Sequence, residues 1–235
     1  MRKLFKIFGF VLLLLSACIS CKQNVKENPY KLDIVDTKEA YLESIKADST
    51  NVLVDLQKYI PGVVLDIRYA DTNNFTGTKI YTQPRAFLRK PAADSLLKIQ
   101  QILAEKGLGL KIYDAYRPYA ATLYFYEVYP DTTFVAAPWK GSIHNRGCAV
   151  DLSIINLESG SELKMPTPFD SFTEQASHNY NDLDSTALAN RALLKDVMLS
   201  HGFTLYDAEW WHYNLKKRDN YKLMNLSFEE LDAIK

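Results

Sequence analysis

The chain has 235 residues, 47% apolar and 24% charged, which fits one ordinary globular domain with short appendages and excludes a disordered tail, a collagen-like chain or a polytopic membrane protein. Lys plus Arg and Asp plus Glu are 28 each, so there is no basic excess to neutralise phosphates and no nucleic-acid partner is expected. Three cysteines are too few for a disulfide scaffold, so the core must come from apolar burial, which a chain of this length can supply.

The first 21 residues read as an address rather than as fold. Arg2, Lys3 and Lys6 make a positive start, and Ile7 to Leu15 is an apolar run about half the ~20 residues that span a bilayer. Leu15-Ser16-Ala17-Cys18 then resembles a bacterial lipobox, which implies cleavage before Cys18 and lipidation of its sulfur. A plain secretory signal that happens to contain Cys18 is the other reading. Cys21 suits the lipidated role less well, because Cys18 rather than Leu stands three residues before it. Residues 22–39 are expected to be a tether, polar from Lys22 to about Asp36 with one Pro and no apolar period. The expected domain runs from 40 to 235. It would be exported and membrane-anchored, in the periplasm or at the cell surface, with no obligate protein partner.

Within the domain, Glu39 to Lys46 suits a short helix, and Asn51 to Tyr59 suits a helix or a strand equally. Val63 to Tyr69 alternates as a strand, ended by the turn-rich Asp71 to Thr78. Pro91 opens a helix with Leu96, Ile99 and Leu103 on one face, and Gly107 stops it. Leu108 to Tyr113 is a strand, and a second helix runs from Pro118 through Tyr129. Ala149 to Ile155 is a strand with Ala149, Asp151 and Ser153 on one face. Thr186 to Ser200 is a third helix, with Ser185 or Thr186 as N-cap and Gly202 past its end. Phe203 to Tyr206 and Glu209 to Tyr213 are strands meeting at Asp207-Ala208. Without regular strand–helix alternation, the fold class is α+β, a central, largely antiparallel sheet flanked by helices.

Two of the four histidines sit in dense polar-aromatic contexts. His144 precedes a turn at Asn145-Arg146-Gly147 that leads into an apolar strand interrupted by Asp151. A carboxylate there must be paired or bind a metal, and imidazole plus carboxylate is a normal zinc pair. A His–Asp hydrogen bond or a satisfied core Asp explains the segment equally. In Glu209-Trp210-Trp211-His212-Tyr213, His212 offers a third ligand and Glu209 a base for an activated water. Flat strand geometry puts Glu209 and His212 on opposite faces, so a bulge, twist or strand end must reunite them. The tryptophans read as core, and a surface charge is the plain alternative for Glu209.

Ser142, His144, Gly147, Ala149 and Asp151 fill an S-x-H-x-x-G-x-A-x-D frame, and Glu209 and His212 fill a distal E-x-x-H. Together they resemble the zinc peptidases of the D-Ala-D-Ala metallopeptidase superfamily, which includes lysostaphin-type enzymes and the hedgehog signalling domain. Asp114-Ala115-Tyr116-Arg117-Pro118, Asn74-Phe75-Thr76-Gly77 and the Glu209 to Tyr213 stretch narrow this to a resemblance to D-alanyl-D-alanine dipeptidases, over about Tyr69 to Tyr213. Cys148 departs from the pattern, standing where a smaller residue is usual, and reads as a buried thiol.

The resemblance implies a hedgehog-like fold and one zinc ion per chain held by His144, Asp151 and His212. It implies Glu209 as general base and proton carrier, and Arg117 as stabiliser of the tetrahedral intermediate. For Arg117 a salt bridge with Asp114 is the plain alternative. Asp170 matches the acid that recognises the substrate's amino group, and Ser142 and Tyr69 match residues lining the dipeptide pocket. Asp114 would orient Arg117 within that substrate-binding group, and Tyr81 is a further candidate in less similar surroundings. Turn, cap and strand-packing roles remain open for Ser142, Asp170 and Tyr69. His178 is expected at the surface or behind the site, and His201, in the last turn of a helix, is expected to carry no chemistry. The implied activity is zinc-dependent hydrolysis of D-Ala-D-Ala or a close D-configured dipeptide. A zinc D,D-carboxypeptidase or endopeptidase acting on peptidoglycan peptides is the alternative.

Overall fold

The computed structural model describes residues 26–234. The expected leader, with Cys18 and Cys21, and the first residues of the expected tether lie outside the described residues. The first half of the chain forms β1 (Ile34–Val35), α1 (Lys38–Ala47), β2 (Leu53–Asp55), α2 (Leu56–Tyr59), β3 (Val64–Leu65), β4 (Phe87–Arg89) and α3 (Lys90–Ala104). Then come β5 (Leu108–Asp114), α4 (Tyr119–Val128), β6 (Ala149–Asn156), α5 (Ser185–Ser200), β7 (Phe203–Tyr206), β8 (Glu209–Leu215), β9 (Leu223–Met224) and α6 (Phe228–Asp232).

The tether expectation needs correcting, because residues 26–39 are docked on the domain. β1 pairs in parallel with β9, and Val35 is buried. Lys26 Nζ lies 2.5 Å from Glu230 Oε2 and donates to the Asn225 carbonyl. Asn28 closes a turn with both the N–H and the carbonyl of Leu32. Two apolar residues are enough to add a strand, yet too few to show a period.

The expected helices are present. α3 carries Pro91 in its first turn and buries Leu96, Ile99 and Leu103, and Gly107 follows at φ 71°. The N-cap of α5 is Asp184, not Ser185 or Thr186. Its carboxylate accepts from Thr186 N and Ala187 N and adds negative charge at the positive end of the helix dipole. Asn51 to Tyr59 holds both a short strand and one helical turn, which is why neither period prevailed. The expected strand from Val63 to Tyr69 keeps only Val64–Leu65. The chain then turns through a 3-10 turn at Arg68–Ala70, which buries Tyr69.

The central sheet has the order β3-β5-β6-β8-β7, with β3–β5 parallel and every other pair antiparallel. α3 packs on β5, and α5 on β6, β7 and β8. Directly paired residues share a face of a sheet. Val150 therefore lies beside Tyr213 on the face toward α5, while Asp151 lies beside His212 on the other. Two irregularities reshape that second face. Between β5 and β6 the register steps from Ile112↔Leu152 to Asp114↔Asp151, so two carboxylates face each other across strands. Between β7 and β8 it steps from Leu205↔Tyr213 to Tyr206↔Glu209, one residue on β7 against four on β8. That bulge brings Glu209 round to the face of His212.

Candidate metal centre and active site

His144 stands in a 3-10 turn, His144–Arg146, closed by Gly147 at φ 69°. Asn145, wholly buried, ties this turn down. Its Oδ1 accepts from Ser142 N at 2.7 Å, and its Nδ2 donates to Arg117 O and to Thr122 Oγ1, each at 2.9 Å. Buried Arg89 adds two more bonds, from its backbone N to Gly147 O and from Nε to Arg146 O. The turn delivers His144 Nε2 to 3.4 Å from Asp151 Oδ1 and 3.2 Å from His212 Nδ1, and Asp151 Oδ1 is 2.9 Å from that same nitrogen.

These three atoms fit a metal ion. His144 Nδ1 is 2.7 Å from the carbonyl of Ala115, which can only accept, so Nδ1 carries the proton and Nε2 presents a lone pair. His212 Nε2 lies 3.0 Å from Asn214 Oδ1, which leaves the lone pair on Nδ1. With a carboxylate oxygen, three lone pairs converge, an arrangement that repels itself unless a cation sits among them. Ligands about 2.0–2.1 Å from a tetrahedral zinc stand roughly 3.3 Å apart, close to the spacings seen here. His144, Asp151 and His212 are the grouping of three potential donors found among the described residues. Burial opposes ionisation of Asp151, and positive charge on His144 and His212 outweighs it, holding its carboxyl below the ordinary range when no cation sits among the three donors.

Around the donors stand the remaining expected residues. Glu209 Oε2 is 3.8 Å from His212 Nδ1. Burial, reinforced by the charge of Asp151 and opposed by Arg117, raises its proton affinity well above that of an ordinary glutamate. Arg117 donates from Nε and Nη2 to Asp114 Oδ2 at 2.9 and 2.8 Å, and Nη2 lies 3.9 Å from Asp151 Oδ2. The expected salt bridge with Asp114 therefore exists, and Arg117 lines the cavity as well. The guanidinium sits between the two facing carboxylates, whose mutual repulsion it offsets. Its carbon lies 4.8 Å from the centre of the Phe125 ring and 5.4 Å from that of Tyr69. Asp170, at φ 60°, accepts from the Tyr69 hydroxyl through both oxygens, at 3.2 and 3.1 Å. Enclosure, then the charges of Asp151 and Glu209, push its carboxyl well above the aspartate range. A cation arriving at Asp170 would relieve that cost.

One cavity of about 260 Å³ is lined by the three donors together with Glu209, Arg117, Asp170, Ser142 and Tyr69. That volume falls below the ~300–1,000 Å³ of pockets for drug-sized ligands and suits a small one. Asp114 does not line it. It stands behind Arg117, accepting from Tyr81 Oη and Ala115 N on its other oxygen. Ser142 lines the cavity and also accepts from His144 N, so its turn role and its pocket position coexist. His178 is buried against Tyr213 on the opposite face of the sheet, and His201 bonds the carbonyl of Val197 at the end of α5. Cys148 is buried, its thiol pushed up to about 12 by that burial.

Asn145 and Asn214 belong to the same network and carry no motif, while Tyr81, a candidate for the cavity lining, stands behind it and bonds Asp114 instead. Asn214 had a readable signal, since two residues past His212 in a strand is the same face.

The family described as D-ala-D-ala dipeptidase matches residues 49–230. The D-alanyl-D-alanine dipeptidase of Escherichia coli (strain K12) is 37% identical over 175 residues, covering 74% of this chain and 90% of that protein. That of Enterococcus faecium is 33% identical over 181 residues, covering 68% and 90%. That of Enterococcus faecalis (strain ATCC 700802 / V583) is 31% identical over 185 residues, covering 70% and 92%. A solved LdcB LD-carboxypeptidase structure matches with a TM-score of 0.42 and 22% identity over 77% of each chain. With matches over most of its length, and a set of donors suited to a metal, the chain belongs to the D-Ala-D-Ala dipeptidase family of metallopeptidases.

Proposed function

We propose that the chain is a zinc-dependent dipeptidase that hydrolyses D-Ala-D-Ala, or a close D-configured dipeptide, to free amino acids. The observation that carries this reading is the convergence, in one small cavity, of three lone-pair donors, a carboxyl of raised proton affinity, a locked guanidinium and a second carboxyl waiting for a cation. His144, Asp151 and His212 would hold zinc, which supplies Lewis acidity to the scissile carbonyl and to the attacking water.

The protein's own groups do the rest. Asp170, braced by Tyr69, pairs with the substrate ammonium and so sets the position of the first peptide bond. Glu209 Oε2 takes a proton from the attacking water. Once ionised, its raised proton affinity makes it a stronger acceptor than an ordinary glutamate, and the same proton then passes to the departing amine. Arg117, held in place by Asp114, faces the charge that develops on the carbonyl oxygen. Ser142 and the cavity wall confine the rest of the dipeptide and keep bulk water out.

The deciding experiment offers D-Ala-D-Ala, L-Ala-L-Ala and N-acetyl-D-Ala-D-Ala to the zinc-loaded chain, with Glu209→Ala as control and released alanine as readout. Cleavage of free D-Ala-D-Ala alone, lost in the control, is the expected result. Preference for the acetylated peptide would make the protein a carboxypeptidase instead.

The leader supports a second proposal, of export and lipidation at Cys18, with the domain outside the cytoplasm and a role in recovering D-alanine from wall fragments. Mass spectrometry of the mature N-terminus should find a diacylated cysteine. A chain found only in the cytosol with Met1 intact refutes this.

A further inference from the structure

Residues 131–135 cross one side of the cavity as a strap. Asp131 shapes the strap locally. Its carbonyl accepts from Phe134 N and Val135 N, and its side chain accepts from Thr133 N. Two contacts fasten it to the site. Tyr206 Oη donates to Thr133 O at 2.7 Å, and the Phe134 ring stacks on Phe172 at 4.9 Å and 19°. Both fasteners belong to elements that carry site residues. Tyr206 ends β7 opposite Glu209, and its ring is 5.8 Å from that of His212. Phe172 lies two residues beyond Asp170, and its ring is 5.2 Å from Phe75.

Through the Phe134–Phe172 stack the strap reaches the loop that carries Asp170. Phe75, Phe134 and Phe172 line the cavity with rings that offer no conventional donor or acceptor to another peptide unit, and only Thr132 and Thr133 of the strap bring polar groups to that wall. A group attached to the substrate nitrogen would have to displace the strap or set an N–H or C=O against the aromatic wall without a partner. Each such group is worth about ten- to a hundredfold in affinity.

We propose that Phe134, Phe172 and Tyr206 determine chain-length specificity. By fastening the 131–135 strap, they restrict the site to a dipeptide with a free amino end. The assignment rests on the dipeptidase reading and adds the residues that enforce it.

The test compares wild type, Phe134→Ala and Tyr206→Phe as zinc-loaded full chains. It measures kcat/KM for D-Ala-D-Ala and for N-acetyl-D-Ala-D-Ala, with bound zinc and Tm recorded for each protein. Tyr206→Phe keeps the ring and removes one hydroxyl, so it remains informative if Phe134→Ala does not fold. The expected result is a rise of about tenfold or more in the acetylated-to-free ratio for Phe134→Ala. A smaller rise is expected for Tyr206→Phe, with zinc content unchanged in both. An unchanged ratio in zinc-replete variants of an active wild type overturns the strap assignment alone. A wild type that leaves D-Ala-D-Ala intact overturns the dipeptidase reading and the strap assignment with it.

Discussion

Replacing Asn214 by alanine removes the acceptor 3.0 Å from His212 Nε2 while leaving all three metal donors in place. The His212 ring then loses the bond that fixes its tautomer and its orientation toward Asp151. Losing such an outer partner typically weakens metal binding by about 10- to 100-fold. Consider zinc present at about a hundred times its wild-type Kd, where binding stabilises the fold by about 2.7 kcal/mol. A thirtyfold weaker site at the same zinc retains only about 0.9 kcal/mol, so about 2 kcal/mol of metal-linked stability disappears. For a domain of 150–250 residues that lowers Tm by about 4–8 °C. The apo proteins should differ far less, because Asn214 contributes little else. Competition with a chromophoric chelator gives the affinity, and melting with and without zinc gives the linkage. Asn214→Asp, which keeps an acceptor, should retain tight binding. If Asn214→Ala binds zinc within twofold of wild type, the orientation argument is wrong.

Glu209→Gln should lower turnover by about 10²- to 10⁴-fold while zinc stoichiometry stays at one per chain, measured by kinetics beside elemental analysis. Gly147→Ala should cost about 1–2 kcal/mol from the positive φ alone. Its added Cβ would also come 2.6 Å from Leu53 Cδ2, so urea unfolding and zinc affinity should both suffer. His178 yields a pH prediction. Burial, then the cations Arg191 and Lys195, lower its pKa from 6.5 to about 4, so the unfolded chain binds more protons between those values. Stability is therefore lost as pH falls from about 6.5 to about 4, by up to about 3 kcal/mol, and that loss levels off below. The difference in urea stability between wild type and His178→Phe should follow this window, and a pH-independent difference would contradict it.

His144 and Asp151 are legible as candidate donors because a turn and the alternation of one strand bring them together, whereas His212 lies 61 residues further along and only the resemblance joins it to them. The relation of Glu209 to His212 was legible only as a requirement. A spacing of three puts them apart on a flat strand, and the pairing Tyr206↔Glu209 that reunites them belongs to two strands together. β1, β4 and β9 have two or three residues each, too short for any period. The N-cap of α5 lies one or two residues before the expected Ser185 or Thr186, since Asp184, Ser185 and Thr186 are all good caps. Asn145 reads only as a turn residue, because two of its three side-chain bonds reach back 23 and 28 residues to Thr122 and Arg117. Phe134 and Phe172 look like ordinary loop hydrophobics until the two loops are seen together.

The docked segment ahead of α1 bears on the proposed lipid anchor, because it sets how far an anchored domain could stray from a membrane. Were the whole stretch from Cys18 to Glu39 free, an extended chain would let the domain wander about 70 Å. With Lys26 pinned to Glu230 and Ile34–Val35 annealed to β9, the leash would shorten to at most about 28 Å if Cys18 is lipidated as proposed. An enzyme so held would work within roughly one protein diameter of the bilayer. It would sample solutes crossing that thin layer rather than those in the surrounding volume.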